Sequence, residues 1–361
     1  MLTLPTFFED FLSEIRPTKP QKDEYKASHE LLRKRLNEFE ALKPFIISTF
    51  LQGSYKRSTA VRPKDGSKSD VDIVVVTNFD SSSTKPKEAM DKFKPFLDKY
   101  YEGKWGPNDR SFGIQLSNIK LDLVITAAPN TQDVQFLKSS TLLSDDYLDE
   151  IESTVELNQD WKPHSLLIPD RSTLEWDETH PIEQIRWTVE KNRRCNKHYI
   201  NVVKALKWWR KVNYETPKYP KGYPFEHLIG QCCPDGIQSV AEGVTRTLEQ
   251  IVSNYKYDAG NDRVPNLPDH GVPSHNVMKR VTPAEFKEFY LQVVSAAQIA
   301  RRALEETSKI KATQLWRELF GDKFDIAEKD ISFPPDGPTP HGFTPRTNST
   351  TLNGGRYARH A

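Results

Sequence analysis

The chain predicts an α+β fold: a mixed sheet with helices in the first half, a mainly helical second half, and a cleft between the two. Three observations carry this. Apolar residues alternate with period two near 45–51, 71–77, 111–117 and 119–127, as strands with one buried face require. They recur with helical period over 86–101, 181–213, 236–256, 282–306 and 311–320. The 361 residues are enough for two subdomains that share a sizeable core.

Taken in order, residues 6–40 read as one or two helices, with Phe7, Phe8, Phe11, Leu12 and Ile15 on one face and Leu31, Leu32, Leu36 and Phe39 on the next. The β-rich run 45–51 stops at Gly53, and the polar stretch from Ser54 opens like the first turn of a short helix, whose backbone N–H groups can hold a phosphate. Fifteen residues separate Ser54 from Asp70, and Lys64 to Lys68 read as a solvated loop. In the strand that follows, Asp70 and Asp72 point to one side while Val71, Ile73 and Val75 point to the other. Two carboxylates so close repel unless a cation lies between them, and hard oxygen ligands around a phosphate suit Mg²⁺ or Mn²⁺. In the run Ile119 to Thr126, Ile119, Leu121, Leu123 and Ile125 form the buried face and leave Asp122 on the other. Phe112 to Leu116 would pair with this strand as a hairpin through Ser117-Asn118.

Each piece has an ordinary reading. A Gly-Ser turn alone is mostly just a turn, and an Asp-X-Asp at a strand start is mostly a solvated edge. Together with a single Asp in a later strand they point to nucleotidyl transfer. Three aspartates on adjacent strands can bind two metal ions and support in-line attack of a hydroxyl on an α-phosphate, with Asp122 as general base or as the ligand that activates the hydroxyl.

The rest of the chain bounds this reading. Residues 129–165 are polar and acidic without strong periodicity, and are expected to cross the surface. Residues 331–361 are rich in Pro, Ser, Thr and Asn, lack apolar periodicity and are expected to be disordered. The expected domains are therefore a catalytic core with N-terminal helices over 1–165, a helical lobe over 166–330 and a tail over 331–361. Lys plus Arg number 51 and Asp plus Glu 50, which argues against the strongly basic face of a duplex-activated enzyme. Charged residues make up 28%, mean hydropathy is −0.67, and no apolar run approaches the roughly 18 residues of a membrane span. With no signal peptide either, a cytoplasmic protein is expected. Cys195, Cys232 and Cys233 fit a reducing compartment and lack the Cys-X-X-Cys pair of a zinc site. No extended apolar stripe stands out, so a monomer is expected.

These motifs resemble the polymerase-β-like nucleotidyltransferases, and among them the bacterial cGAS/DncV-like enzymes (CD-NTases) of antiphage CBASS signalling. The resemblance runs through Phe11 to Thr18, Ser48 to Ser54, Asp70 to Asn78, Leu166 to Arg171, His180-Pro181, Lys204 to Arg210 and Tyr219 to Leu228, and is strongest with clade D. It implies a bilobed polymerase-β-like core, two Mg²⁺ or Mn²⁺ ions on Asp70, Asp72 and Asp122, and an adenine-rich cyclic trinucleotide made from ATP and GTP. It also implies nucleotide contacts from Gln52, Gly53 and Ser54, a triphosphate lysine at Lys207 with Lys204 as the alternative, and a base-stacking aromatic at Tyr223. The tail, ending at Ala361, is similar to those that a ubiquitin-transfer-like partner conjugates; a HORMA-type regulator is the other expected partner, and an effector is reached through the product. Without the resemblance, the lysines would read as a solvated helix face and Tyr223 as a core tyrosine.

Clade G enzymes with cyclic dinucleotide products are the nearest alternative. A linear oligoadenylate synthase or RNA-tailing enzyme would use the same carboxylates but should carry a broad basic surface. An aminoglycoside nucleotidyltransferase would lack the long helical half, and a catalytically dead binding module has no need of three aspartates.

Overall fold

The computed structural model describes residues 1–64, 67–128 and 164–329. Among these, seven strands form one sheet. They are β1 (Ile46–Gln52), β2 (Ser69–Thr77), β3 (Trp105–Pro107), β4 (Phe112–Gln115), β5 (Ile119–Ala127), β6 (Leu166–Pro169) and β7 (Trp176–Thr179). The spatial order is β1-β2-β5-β4-β3, with β6 pairing β5 and β7 pairing β6. β2 and β5 run parallel. The other pairings are antiparallel, including the hairpin expected through Ser117-Asn118.

Helices α1 (Pro5–Ile15) and α2 (Lys19–Glu38) precede the sheet, and the short α3 (Gly53–Lys56) follows β1. The single helix expected over 86–101 is two, α4 (Pro86–Asp91) and α5 (Lys94–Tyr101). Pro95 sits in the first turn of α5, where its missing N–H costs nothing, and could not continue a helix arriving from α4. After the sheet come α6 (Pro181–Arg194), α7 (Tyr199–Asn213), α8 (Tyr223–Cys232), α9 (Val240–Gly260), α10 (Pro283–Glu305) and α11 (Lys309–Phe320). α2 and α10 each open with a capping box, Thr18 with Gln21 and Thr282 with Glu285, which satisfies N–H groups that a helix start leaves unpaired.

Both faces of the sheet are covered. Val71, Ile73 and Val75 of β2 and Ile119, Leu121 and Leu123 of β5 are buried against Leu32, Leu36, Met90 and Phe96 from α2, α4 and α5. On the opposite face Phe50, Val74, Val76 and Val124 pack with Ile182 of α6. A third, larger core joins α7 to α11. Packing cuts across the boundary expected at residue 165. β6 and β7 extend the sheet beyond it, and α1 inserts Phe8 and Phe11 among Trp316, Phe320 and Phe324 of the helical half. The expectations for residues 129–163 and for the tail, Ala361 included, lie outside the described residues. Cys195, Cys232 and Cys233 are buried free thiols, and no described helix is long and apolar enough to cross a membrane.

Close packing in the large core runs through Gly243 of α9. A Cβ there would lie 2.5 Å from Val202 Cγ2 and 2.6 Å from Ile237 Cδ1. Gly243→Ala should therefore destabilise the fold by about 1–3 kcal/mol through overpacking, more than the roughly 1 kcal/mol that alanine returns as helix propensity. Urea denaturation reads this directly, and an unchanged or higher midpoint would show that α7 and α9 do not approach so closely.

Candidate active site

Strand register builds the site. Gln52 of β1 stands opposite Asp72 of β2, Asp72 opposite Asp122 of β5, and Asp122 opposite Gly113 of β4. One row across four strands thus carries an amide, two carboxylates and a glycine. Asp70, two residues before Asp72, projects from the same face. Lys120 shares that face with Asp122, and its ammonium lies 2.9 Å from Asp122 Oδ2 and 3.6 Å from Asp70 Oδ1. Asn108 Nδ2 donates to the other Asp122 oxygen at 3.1 Å.

The electrostatics follow from this crowding. Burial, then the charges of Asp122 and Asp70, push the Asp72 carboxyl up to about 7 against the pull of Arg57 and Lys120. Asp70 is also raised, first by burial, with Lys120 opposing and Asp122 adding to the effect. Burial works against the charge on Lys120, yet Asp122 and then Asp70 hold its pKa above the usual lysine value. Gly53 leaves room for Asp72. It sits at φ +72°, and a Cβ on it would fall 2.0 Å from Asp72 Oδ2.

Among the described residues no three carboxylate, imidazole or thiol groups converge as an ion site, because Lys120 stands between Asp122 and Asp70. The donor set nonetheless suits a hard divalent cation: three carboxylates on two neighbouring strands, two of them, Asp70 and Asp72, raised in pKa first by burial and then by the charge of Asp122. The residues fit the metal, with Lys120 as the group that must yield.

Behind this row, α3 is anchored from its C-terminal side. Arg57 Nε and Nη2 each donate to Glu226 Oε2 at 3.1 Å, Thr59 Oγ1 donates to the same oxygen at 2.9 Å, and Lys207 Nζ donates to Glu226 Oε1 at 2.8 Å. Burial opposes the charge of Glu226, but Arg57 and Lys207 hold its carboxyl below the ordinary value. The Arg57 guanidinium also lies over the Tyr223 ring, 5.1 Å from its centroid. The cleft in front is a cavity of about 670 Å³ that includes Asp70, Tyr223, Lys221, Arg110, Lys279 and Arg280 in its lining.

Of the residues expected from sequence, Gln52, Gly53, Asp70, Asp72 and Asp122 come together, with Ser54 beside Gly53 at the start of α3. Tyr223 lines the same cavity as Asp70. Lys207 donates to Glu226 and to the Thr59 carbonyl, at 2.9 Å for the latter, rather than into the cavity. Lys204 lines a different and smaller cavity. Ala361 lies outside the described residues. Sequence reading missed Lys120, although period two places it on the face of Asp122, and it missed Lys221, Lys279 and Arg280, which have no local signature.

The family described as Second Messenger Oligonucleotide or Dinucleotide Synthetase domain matches residues 2–136. The chain is 45% identical to a cyclic AMP-AMP-GMP synthase of Enterobacter hormaechei, over 97% of this chain and 98% of that protein. It is 44% identical to a probable cyclic AMP-AMP-GMP nucleotide synthase of Salmonella paratyphi B, over 99% and 100%. Among solved structures, CdnC of E. coli MS115-1, in its complex with a HORMA protein, superposes with a TM-score of 0.64 at 14% identity, over 90% of this chain and 99% of that one.

A raised carboxyl makes a stability prediction. The fold favours protonated Asp72, so that stability is fully present below about pH 4 and is lost as pH rises through about 7. In buffer free of divalent cations, Asp72→Asn should melt a few degrees above the parent at pH 8, and the difference should close towards pH 4. Equal melting temperatures at pH 8 would show that ionised Asp72 bears no such strain.

Proposed function

The chain belongs to the CD-NTases, bacterial nucleotidyltransferases of the second-messenger oligonucleotide or dinucleotide synthetase kind, and on that premise we propose that it joins ATP and GTP into a cyclic trinucleotide of two adenylates and one guanylate. The observation that carries the reaction type is the row Gln52, Asp72, Asp122 beside Gly53. The relatives' names and their near-complete coverage support the product.

Asp70, Asp72 and Asp122 would hold the divalent ions, which when bound supply Lewis acidity to the attacking hydroxyl and to the leaving pyrophosphate. Asp122, its two oxygens held by Asn108 and Lys120, is positioned to accept the proton of the attacking ribose hydroxyl. The new bond joins that oxygen to the α-phosphorus of a second nucleotide; the bond from the α-phosphorus to the β-bridging oxygen breaks, and pyrophosphate leaves. Two such steps build a linear trimer and a third closes the ring. Lys221, Lys279 and Arg280 supply the cations that a triphosphate needs in the cleft, and Tyr223 offers a ring for a base.

In this reading the enzyme works in the cytoplasm as part of antiphage defence. Regulation through Ala361 by a ubiquitin-transfer-like partner, or through a HORMA-type protein, is proposed on the composition of the tail.

Incubation with all four labelled nucleotides and Mg²⁺ or Mn²⁺, then phosphatase and nuclease treatment and mass spectrometry, tests the reaction. The expected product is a phosphatase-resistant ring of two adenylates and one guanylate, absent with a chelator. It should fall by at least about 10²–10³-fold in Asp70→Asn and Asp122→Asn, the scale at which loss of one electrostatic contributor acts. Phosphatase-sensitive linear chains alone would instead indicate a tailing enzyme. For the base contact, Tyr223→Ala should weaken nucleotide binding by about 1–3 kcal/mol, roughly 5–150-fold in KM, with Tyr223→Phe close to the parent. A change under about twofold in the alanine variant would place the base elsewhere.

A further inference from the structure

We propose that Lys120 is an internal competitor of the divalent cation: its ammonium holds two of the carboxylates that the ion would bridge, and so sets how tightly the enzyme takes up metal. The inference rests on Asp70, Asp72 and Asp122 as the metal-holding residues, and adds a fourth residue that opposes them.

Geometry makes the two occupants exclusive. Lys120 stands opposite Asp70 across the parallel pairing of β2 with β5, and Asp122 lies two residues further along the same face. The ammonium is 2.9 Å from Asp122 Oδ2 and 3.6 Å from Asp70 Oδ1. Mg²⁺ sits about 2.0–2.1 Å from its oxygen ligands, closer than an ammonium comes. An ion bridging these two oxygens therefore needs the space that the ammonium fills.

The fold makes a place for this lysine. Leu121 beside it is fully buried, which turns residues 120 and 122 to the opposite face of β5. Across the strand pair, Gly113 of β4 leaves room for the stem: a Cβ there would lie 3.2 Å from Lys120 Cε and 3.4 Å from Asp122 Oδ1. Charge explains both why a cation stands there and how it leaves. Carboxylates this close repel, and one ammonium relieves part of the repulsion. The Lys120 side chain is 28% exposed, so the ammonium can turn to water, whereas Arg57 is buried and bound to Glu226. A divalent ion carries twice the charge and displaces the ammonium, but its net affinity is lowered by the two ion pairs it breaks.

Mn²⁺ binding to the full chain without nucleotide, read from the loss of the free-ion electron paramagnetic resonance signal, tests this. Lys120→Met should bind Mn²⁺ at least about tenfold more tightly than the parent, as removal of a charge-assisted contact that the metal must break implies. Lys120→Arg, which keeps the charge, should show no such gain. Lys221 also acts on the charge of Asp70, but through space; Lys221→Met should shift the affinity by less than about threefold, because salt screens such a charge. Binding should be lost in Asp122→Asn. Melting gives a second readout: in divalent-free buffer Lys120→Met should melt below the parent, and Mn²⁺ should raise its melting temperature by more than it raises the parent's. Should Lys120→Met not fold, Lys120→Gln removes the same charge and decides the matter. Unchanged or weaker Mn²⁺ binding in the neutral variants, or an equal gain in Lys120→Arg or Lys221→Met, would overturn the proposal and leave the metal reading intact. Absence of saturable binding in every variant, or binding that survives Asp122→Asn, would overturn the metal reading itself and this inference with it.

Discussion

Glu226 lies 4% exposed at the start of α8 and accepts hydrogen bonds from three side chains on two other segments. Arg57 and Thr59 come from the stretch after β1, and Lys207 from α7. A buried carboxylate is tolerable only when its partners satisfy it, and removing one partner from such a pair typically costs about 3–5 kcal/mol. Here both oxygens are occupied, so the helical half grips α3 through a charge network rather than through apolar contact. The same arginine reaches Asp72 electrostatically and covers Tyr223, so the Gly53 turn, the acidic row and Tyr223 share one anchor.

That anchor matters because the acidic row is unstable by itself. The charge of Asp122 opposes ionisation of Asp70 and Asp72, and the counter-charges are Lys120, Arg57 and Lys221. Lys120 contacts two of the three carboxylates at once, whereas Arg57 is committed to Glu226. The strain of the row is local, and the parallel pairing of β2 with β5 over nine residue pairs keeps Asp72 opposite Asp122 despite their repulsion.

How much of this was legible in the sequence depends on range. Asp70, Asp72 and Asp122 were readable because period two acts within a strand: the buried neighbours Val71, Ile73, Leu121 and Leu123 declare which way the polar residues point. What packs against what was not. The apolar face of α1 announces burial but cannot name Trp316 and Phe320 as its partners, some three hundred residues away. β6 and β7 are four residues each, too short for a periodic signal. Lys207 was expected in the cleft because of its place in a motif, and Glu226, which takes it elsewhere, has no local signature at all.

The position of the cleft follows from how far each side of the sheet is covered. On the face that α2, α4 and α5 protect, β2 is apolar from Val71 onward. On the opposite face the cover supplied by Ile182 and β6 reaches Val74, Val76 and Val124, whereas Asp70 and Asp72 come before it along β2. The sheet is longer than its second cover. A strand end left uncovered on one face needs polar side chains there, which accounts for polar residues at 70, 72, 120 and 122 without reference to chemistry. It does not account for carboxylates at three of the four, which repel each other and gain nothing in stability. The excess of negative charge over what solvation requires separates a reactive surface from an ordinary sheet end, and Gly53 and Gly113, which leave space beside Asp72 and Asp122, keep that surface open.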